Sequence, residues 1–141
     1  MSDLLIKNAR LNNGSIQEIL VLNGLVADIG KIDKYNDIPS IDAKGYFVTT
    51  PFVDSHFHLD ATLSYGIPRV NQSGTLLEGI KLWGELKLNL TADALKDRAR
   101  KLCKWAIAKG TLAIRSHVDI TDPSLLAVEA MLDIKNEFRA W

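Results

Sequence analysis

The chain has 141 residues, of which 47% are hydrophobic and 24% charged, a composition typical of an ordinary globular protein and not of a disordered one. Its 17 basic and 17 acidic side chains cancel to a formal net charge of zero, which argues against a partner such as nucleic acid or an anionic membrane. The single cysteine, the absence of a signal-peptide pattern and the lack of any apolar stretch near the ~20 residues that span a bilayer predict a cytoplasmic protein.

Residues 1–50 are predicted to form an N-terminal unit of short β-strands. The strands are predicted at residues 4–11, 16–21, 25–29, 38–42 and 46–50. Asn23 and Gly24 separate the second strand from the third, and this residue pair favours a tight hairpin turn because both residues tolerate positive φ. Short strands separated by turns in this way are typical of half of a small β-sandwich.

From Pro51 onward the pattern alternates between strands and helices. Strands are predicted at residues 52–59 and 111–118, and helices at 75–86, from a cap at Thr91 to Gly110, and from Pro123 onward. The last helix is predicted to bury three large apolar side chains, Leu125, Val128 and Leu132. Two strands joined by so long a crossover are expected to pair in parallel and to be covered on both faces. The sequence therefore predicts an α/β unit over residues 51–141.

The residues that point to chemistry stand at the end of the first of these strands. His56 and His58 are two positions apart, so alternation along a strand directs both imidazoles to the same face. Two neutral imidazoles on a rigid strand suit zinc, iron and other divalent transition metals. Taken alone, a pair of histidines with this spacing is often incidental, but here it closes an apolar strand and is flanked by Asp54 and Asp60. We interpret His56 and His58 as metal ligands.

Four stretches resemble proteins of the amidohydrolase superfamily. Residues 51–58 resemble the first-strand motif of that superfamily, in which a proline and a short apolar run precede the two histidines. Bacterial cytosine deaminases are similar at residues 58–62, His-Leu-Asp-Ala-Thr, at residues 71–80, Asn-Gln-Ser-Gly-Thr-Leu-Leu-Glu-Gly-Ile, and at residues 115–119, Arg-Ser-His-Val-Asp. The last two stretches are more specific than the histidine pair. The resemblance extends over almost the whole chain.

The resemblance implies the N-terminal part of a (β/α)₈ TIM barrel of the metal-dependent hydrolase type, preceded by half of a small β-sandwich. It further implies one divalent metal ion, Fe or Zn, held by His56 and His58 together with a later histidine and aspartate. The implied activity is the hydrolytic deamination of cytosine or a related nucleobase, a reaction of pyrimidine salvage, in an enzyme that forms homo-oligomers. Leu76 falls in a stretch that lies beside the pyrimidine in this family and is a candidate for substrate binding.

Three further residues are candidates for the surroundings of the metal. His117 ends the second strand, where it faces the substrate or supports the ligands, or else is an ordinary hydrogen-bonded core histidine. In principle it could also be a third ligand beside the first two. Asp60 follows the ligands closely and could support them. Asp119 could orient His117 or cap the following turn. Trp83, Trp105 and Cys103 are predicted to be core residues.

An eight-stranded barrel needs roughly 200 residues or more, so residues 1–141 are expected to be incomplete. The residues that transfer protons in this family are expected beyond residue 141, and no catalytic acid or base is assigned within the chain. The expected forms are a truncated product, a fragment, or one piece of a split enzyme that needs a complementary C-terminal fragment. Two alternatives remain open: an amidohydrolase for another ring, such as isoguanine or a triazine, and a non-catalytic remnant or interaction module.

Overall fold

The computed structural model describes residues 3–35 and 37–139 and divides the chain into two compact units, one up to Thr50 and the other from Pro51 onward. The division falls where the sequence pattern changes from strands and turns to alternating strands and helices. That the first unit is half of a β-sandwich remains a prediction.

The first unit contains one four-stranded sheet. Its strands are β1 (Leu4–Arg10), β2 (Ile16–Leu22), β3 (Leu25–Gly30) and β4 (Ser40–Asp42), in the order β3-β2-β1-β4. β2 is antiparallel to both β1 and β3, and β4 is parallel to β1. Asn23 and Gly24 have φ values of 52° and 80°, which confirms the predicted hairpin turn between β2 and β3.

The prediction of a strand at residues 46–50 is wrong. Only one isolated bridge forms there, between Arg10 and Phe47, through hydrogen bonds from the Arg10 amide to the Tyr46 carbonyl and from the Val48 amide to the Arg10 carbonyl. The reason is that β1 ends at Arg10, so its edge offers no further backbone groups for a longer ladder.

The second unit is a parallel strand pair with three helices. Its elements are β5 (Phe52–Phe57), α1 (Leu76–Lys87), α2 (Ala92–Ala108), β6 (Thr111–Ser116) and α3 (Leu126–Glu137). β5 and β6 pair in parallel, with Val53 opposite Ala113 and Phe57 opposite Ser116, and α1 and α2 lie in the crossover between them. This confirms the predicted strand–helix–strand arrangement. None of the helices in the described ranges has the length and apolar character needed to cross a membrane.

The predicted boundaries of the first two helices are close to those observed. Thr75 caps α1 by accepting a hydrogen bond from the Glu78 amide at 3.3 Å, and Thr91 caps α2 by accepting one from the Ala94 amide at 3.2 Å. After α2, Gly110 takes a φ of +87°, a conformation that glycine adopts without strain and that lets the chain leave the helix.

The core of the second unit lies between α2 and α3. It consists of buried apolar side chains, namely Leu59, Leu95, Ala99, Cys103, Ala127, Ala130, Met131 and Ile134. Leu95 and Ala99 are 0% exposed. Cys103 is buried as expected, and burial raises the pKa of its thiol.

The start of the last helix and its buried face were predicted wrongly. α3 begins at Leu126 and not at Pro123, because Asp122 instead closes a turn by accepting hydrogen bonds from the Ser124 amide and hydroxyl. Leu125 and Leu132 are 45% and 53% exposed. The buried residues of this helix are Ala127, Ala130, Met131 and Ile134, a set with the same helical spacing. Two small alanines on this face permit a close approach to α2.

Much of the strand pair is exposed. Val53 in β5 is 70% exposed and Leu112 in β6 is 55% exposed, so the described residues of the second unit do not by themselves cover both faces of the strands as expected. A groove of about 480 Å³ lies beside β6, lined mainly by apolar side chains of β6, α2 and α3. Trp105 on α2 is also half exposed, with the Lys101 Nζ 5.0 Å from the ring centroid, so its prediction as a core residue was wrong.

Candidate metal centre

Three imidazoles meet at the carboxyl end of the parallel strand pair. The ring centroids of His56 and His58 are 5.8 Å apart, and His117, which follows β6, lies 3.9 Å from His56 and 5.8 Å from His58. His117 reaches this position because its backbone amide donates to the Phe57 carbonyl at 2.7 Å and extends the pairing of β5 with β6. All three histidines of the chain are therefore neighbours.

His117 is not placed to share one ion with His56. The two rings are stacked, with only 18° between their planes. An imidazole binds a metal through a lone pair in the plane of its ring, at about 2.0–2.1 Å. Two nearly parallel rings whose centroids are 3.9 Å apart do not direct both lone pairs to one point at that distance. The possibility that the three histidines form a three-ligand site is therefore not realised in this arrangement.

Asp60 lies directly behind His58. Its side chain is buried, and its Oδ1 is 3.4 Å from the Nδ1 of His58, whose own side chain is half exposed. A carboxylate next to one imidazole nitrogen favours a proton on that nitrogen and leaves the other nitrogen free to bind a ligand. The structure thus places Asp60 on the Nδ1 side of His58, and its role in supporting a metal ligand stays a prediction.

A cation and a backbone amide hold the buried aspartate in place. Arg98 on α2 donates hydrogen bonds to the backbone carbonyls of Asp60 and Thr62, at 3.2 and 3.0 Å. The Asp119 amide donates to the Asp60 Oδ2 at 2.8 Å. Because a buried carboxylate is costly without hydrogen-bond donors and nearby positive charge, these contacts stabilise Asp60 beside the imidazole.

Asp119 caps a turn and does not orient His117. Its Oδ1 accepts a hydrogen bond from the Thr121 amide at 2.8 Å, as the capping interpretation expects. Its Oδ2 instead faces α1, where it accepts from the Trp83 Nε1 and the Lys87 Nζ. Among residues 3–35 and 37–139 no hydrogen-bond partner is found for the Nδ1 of His117. The suggested orientation of His117 by Asp119 is therefore not observed.

The Nδ1 of His117 is a buried polar atom that the described part of the chain leaves without a hydrogen-bond partner. The Nδ1 is buried, and an unpaired buried polar atom is expected to have a partner in the functional state. Burial, followed by the nearby His56 and Arg115, lowers the pKa of His117 below its ordinary value. This shift favours the neutral form of the imidazole, which can both donate and accept a hydrogen bond.

The donor set fits a transition metal in part. His56 and His58 supply two imidazoles, with the Nδ1 of His58 next to Asp60, and this ligand chemistry suits zinc or iron. In the described part of the chain, no group of three or more His, Cys, Asp or Glu residues is arranged to hold a metal ion. A catalytic zinc usually has three protein ligands and a water, so two histidines supply only part of a complete site.

Leu76, the candidate for substrate binding, lies at the start of α1 and is largely exposed. It is the first residue of α1 and its side chain is 78% exposed. It lines neither the 480 Å³ groove nor a second cavity of about 220 Å³ between α1 and the preceding loop. Its role in substrate binding remains a prediction.

The loop before α1 is fastened to that helix by an ion-pair network. Arg69 contacts Glu78 and Glu85, with Nη to Oε1 distances of 2.7 and 3.0 Å. Glu78 also accepts hydrogen bonds from the Ser73 amide and hydroxyl. Ser73, first through its hydroxyl and then through its amide, and next Arg69, lower the pKa of Glu78 to about 2. The network sets the course of the loop between β5 and α1.

This network is expected to make stability depend on pH. Because the pKa of Glu78 is lower in the folded chain than its ordinary value of 4.5, its contribution to stability is present above pH 4.5 and is lost as the pH falls towards about 2. Urea unfolding between pH 6 and pH 2.5 should show that the Glu78→Gln variant is less stable than the wild type at pH 6, with a difference that shrinks on acidification. Glu129→Gln on α3 is the control. A constant difference for Glu78→Gln across this range would contradict the expectation.

Sequence reasoning missed the partners of the two aspartates. Trp83 was expected only as a core residue, and Lys87 and Arg98 were not singled out. Trp83 and Lys87 are four positions apart on α1 and therefore lie on one helical face, which was a usable signal. Nothing local to the sequence indicated that this face would meet Asp119, which lies 32 residues beyond Lys87.

Comparison with known proteins agrees with an α/β unit that carries histidines at the ends of parallel strands. The Amidohydrolase family profile matches residues 40–137. This range is more than half of the chain, and the protein belongs to the amidohydrolase family, as the sequence predicted.

Solved and curated relatives support the same assignment. 5-Methylcytosine deaminase from Klebsiella pneumoniae, solved with phosphonocytosine, is 39% identical with a TM-score of 0.86 over 94% of this chain. N-isopropylammelide isopropylaminohydrolase from Burkholderia multivorans is 25% identical with a TM-score of 0.79 over 99% of the chain. The N-isopropylammelide isopropyl amidohydrolase of Pseudomonas sp. (strain ADP) is 28% identical over 97% of the chain.

The chain spans about a third of these relatives. It covers 33% of the Klebsiella structure, 35% of the Burkholderia structure and 36% of the Pseudomonas sequence. The predicted fold class is confirmed: the neighbours are amidohydrolase barrel enzymes, and the mixed α/β chain corresponds to their N-terminal third.

Proposed function

We propose that this chain supplies the first metal ligands of an enzyme that hydrolytically deaminates cytosine or a related nucleobase. The observation that carries the proposal is the pair of neighbouring imidazoles, His56 and His58, with the buried Asp60 behind one of them. The 39% identity to a 5-methylcytosine deaminase over 94% of the chain supports a pyrimidine as substrate. In the net reaction water attacks the ring carbon that bears the amino group. The bond to the amino group breaks, and the oxo product and ammonia are released.

Under this proposal His56 and His58 hold one divalent ion, Fe or Zn, through imidazole nitrogens. When bound, such an ion supplies Lewis acidity and lowers the pKa of water. Asp60, whose Oδ1 lies 3.4 Å from the Nδ1 of His58, favours the tautomer that leaves the Nε2 as the ligating atom. His117 offers its unpaired Nδ1 as a hydrogen-bonding group, and Leu76 lines the substrate pocket. The residues that move protons in the reaction come from the part of the relatives that this chain does not span.

The same proposal extends to the rest of the barrel, the oligomeric state and the cellular location. We expect the apolar groove beside β6, about 480 Å³ in volume, to be covered in the active enzyme by further barrel elements, either of the same polypeptide or of a complementary C-terminal fragment. We expect the active enzyme to be a cytoplasmic homo-oligomer.

A chimera tests the proposed substrate. In it, residues 1–141 replace the matching third of the Klebsiella 5-methylcytosine deaminase. We expect the purified chimera to contain metal and to release ammonia from cytosine, whereas residues 1–141 alone do not. The chimera that carries His56→Ala and His58→Ala should lose activity by at least about 1,000-fold, the scale expected when an essential catalytic group is removed. A folded, metal-containing chimera without activity on cytosine would contradict the proposal.

One observation favours a second candidate substrate, N-isopropylammelide. Two N-isopropylammelide hydrolases match 97% and 99% of the chain, although at 28% and 25% identity. The same chimera should therefore be assayed for release of isopropylamine from N-isopropylammelide. Release of isopropylamine without release of ammonia from cytosine would favour this substrate over cytosine.

A further inference from the structure

Helix α1 is fastened to the segment that follows β6 by two hydrogen bonds to one carboxylate. The Trp83 Nε1 and the Lys87 Nζ both donate to the Asp119 Oδ2, at 2.5 and 2.9 Å. Lys87 also donates to the Thr121 hydroxyl, and the Thr121 amide donates to the other oxygen of Asp119. These contacts join two parts of the chain that are more than 30 residues apart in sequence.

The same segment continues to the candidate metal centre. The Asp119 amide donates to the Asp60 Oδ2 at 2.8 Å, and the Asp60 Oδ1 lies 3.4 Å from the Nδ1 of His58. The Oδ1 of Asp60 also accepts from the Ala61 amide at 2.9 Å. A continuous series of polar contacts thus runs from α1 through Asp119 and Asp60 to His58.

The two carboxylates of this series and the Lys87 side chain are largely shielded from solvent, whereas the ring of His58 is half exposed. Asp60 is 0% exposed, and the side chains of Lys87 and Asp119 are 23% and 20% exposed. Hydrogen bonds in such surroundings are held more rigidly than those between exposed side chains, because water competes less for the same groups. If Trp83 and Lys87 released Asp119, its segment could shift, and the donor that fixes the Oδ2 of Asp60 would shift with it.

We propose that Trp83, Lys87 and Asp119 are positioning residues, which hold Asp60 against the Nδ1 of His58 and so determine which nitrogen of His58 is available to a metal. The inference rests on the metal-binding role of His58 in the proposed function. Its direct consequence, the position of the proton on His58, exists without any metal.

The test uses residues 1–141 labelled with ¹⁵N-histidine, at pH 8. Long-range ¹H–¹⁵N correlation spectra report which nitrogen of His58 carries the proton, and titration with Zn²⁺ alone reports its affinity. The double variant Trp83→Phe/Lys87→Met removes both donors from α1. Trp105→Phe/Lys81→Met makes the same chemical changes at exposed positions and is the matched control.

We expect wild type and control to carry the proton of His58 on Nδ1. The double variant should show a mixture of both tautomers and bind Zn²⁺ about 10-fold more weakly, the loss typical when an outer partner of a ligand is disturbed. Lys87→Arg, which keeps a cationic donor, should behave like the wild type. A folded double variant whose His58 tautomer and Zn²⁺ affinity match those of the control would overturn the proposal.

Two further outcomes are decided by the same spectra. If the double variant does not fold, the single variant Trp83→Phe decides, because it keeps an aromatic ring and removes only one donor. An unchanged His58 tautomer in that variant would overturn the proposal. If the wild type binds no Zn²⁺, the proposed metal role of His58 fails, whereas the tautomer of His58 still supports or overturns the positioning role.

Discussion

Replacing His56 and His58 together with alanine is expected to abolish the binding of one Zn²⁺ per chain that we expect of the wild type. Each single variant should weaken binding by more than about 100-fold, because even the outer partners of a ligand contribute 10- to 100-fold to metal affinity and a ligand contributes more. Isothermal titration calorimetry with Zn²⁺ measures the stoichiometry and the dissociation constant of each variant.

His117→Phe is the informative control for this experiment. It retains a flat ring against His56 and removes both nitrogens of His117. Because the stacked arrangement, with 18° between the ring planes, does not direct His117 and His56 to one ion, we expect a loss of less than about 10-fold. Wild-type affinity in the double alanine variant would show that the two histidines are not the ligands. A loss in His117→Phe as large as that in His56→Ala would show that the stacked geometry does not persist in the metal-bound chain.

Replacing Leu95 with alanine is expected to lower the free energy of unfolding by about 2–5 kcal/mol. Leu95 is 0% exposed, and several of its neighbours in the core between α2 and α3 are alanines. Small side chains cannot extend to fill the space that the leucine leaves, so most of the cavity would persist. Urea unfolding followed by tryptophan fluorescence measures the change.

Leu88→Ala provides the matched control, since Leu88 follows α1 and is 84% exposed. It makes the same substitution without opening a cavity, and we expect a change within about 0.5 kcal/mol. Equal urea midpoints for Leu95→Ala and Leu88→Ala would contradict the assignment of Leu95 to the core.

Features that depend on neighbouring residues could be predicted from the sequence. The hairpin at Asn23 and Gly24 follows from the backbone preferences of those two residues, and the cap at Thr91 follows from its hydroxyl group. The His56–His58 pair needed only the alternation of side chains along a strand.

Features that depend on packing could not be predicted in this way. Two sets of α3 residues have helical spacing, and large leucines were favoured over the alanines that are in fact buried. Close packing against α2 determines which of the two sets is buried, and no local sequence pattern reveals that packing. The stacking of His117 on His56 likewise depends on the register of β5 against β6, which shifts between Asp54 and Phe57.

The contacts of Asp60 and Asp119 lie between these cases. The position of Asp60 two residues after His58 makes it a candidate from the sequence, and its burial behind His58 is compatible with a supporting role. Asp119 was expected to cap a turn, which it does, but its contacts with Trp83 and Lys87 depend on where α1 lies. The sequence thus indicates that Asp60 and Asp119 lie near the candidate metal centre, but it does not indicate which side chains they contact.

X-ray absorption at the zinc edge, recorded on the chain loaded with one equivalent of Zn²⁺, examines the ligands themselves. We expect scattering from two imidazole rings with nitrogens at about 2.0–2.1 Å, and its loss in the His56→Ala/His58→Ala variant. A spectrum with only oxygen ligands and no imidazole scattering would mean that the two rings at the end of β5 do not hold a common ion.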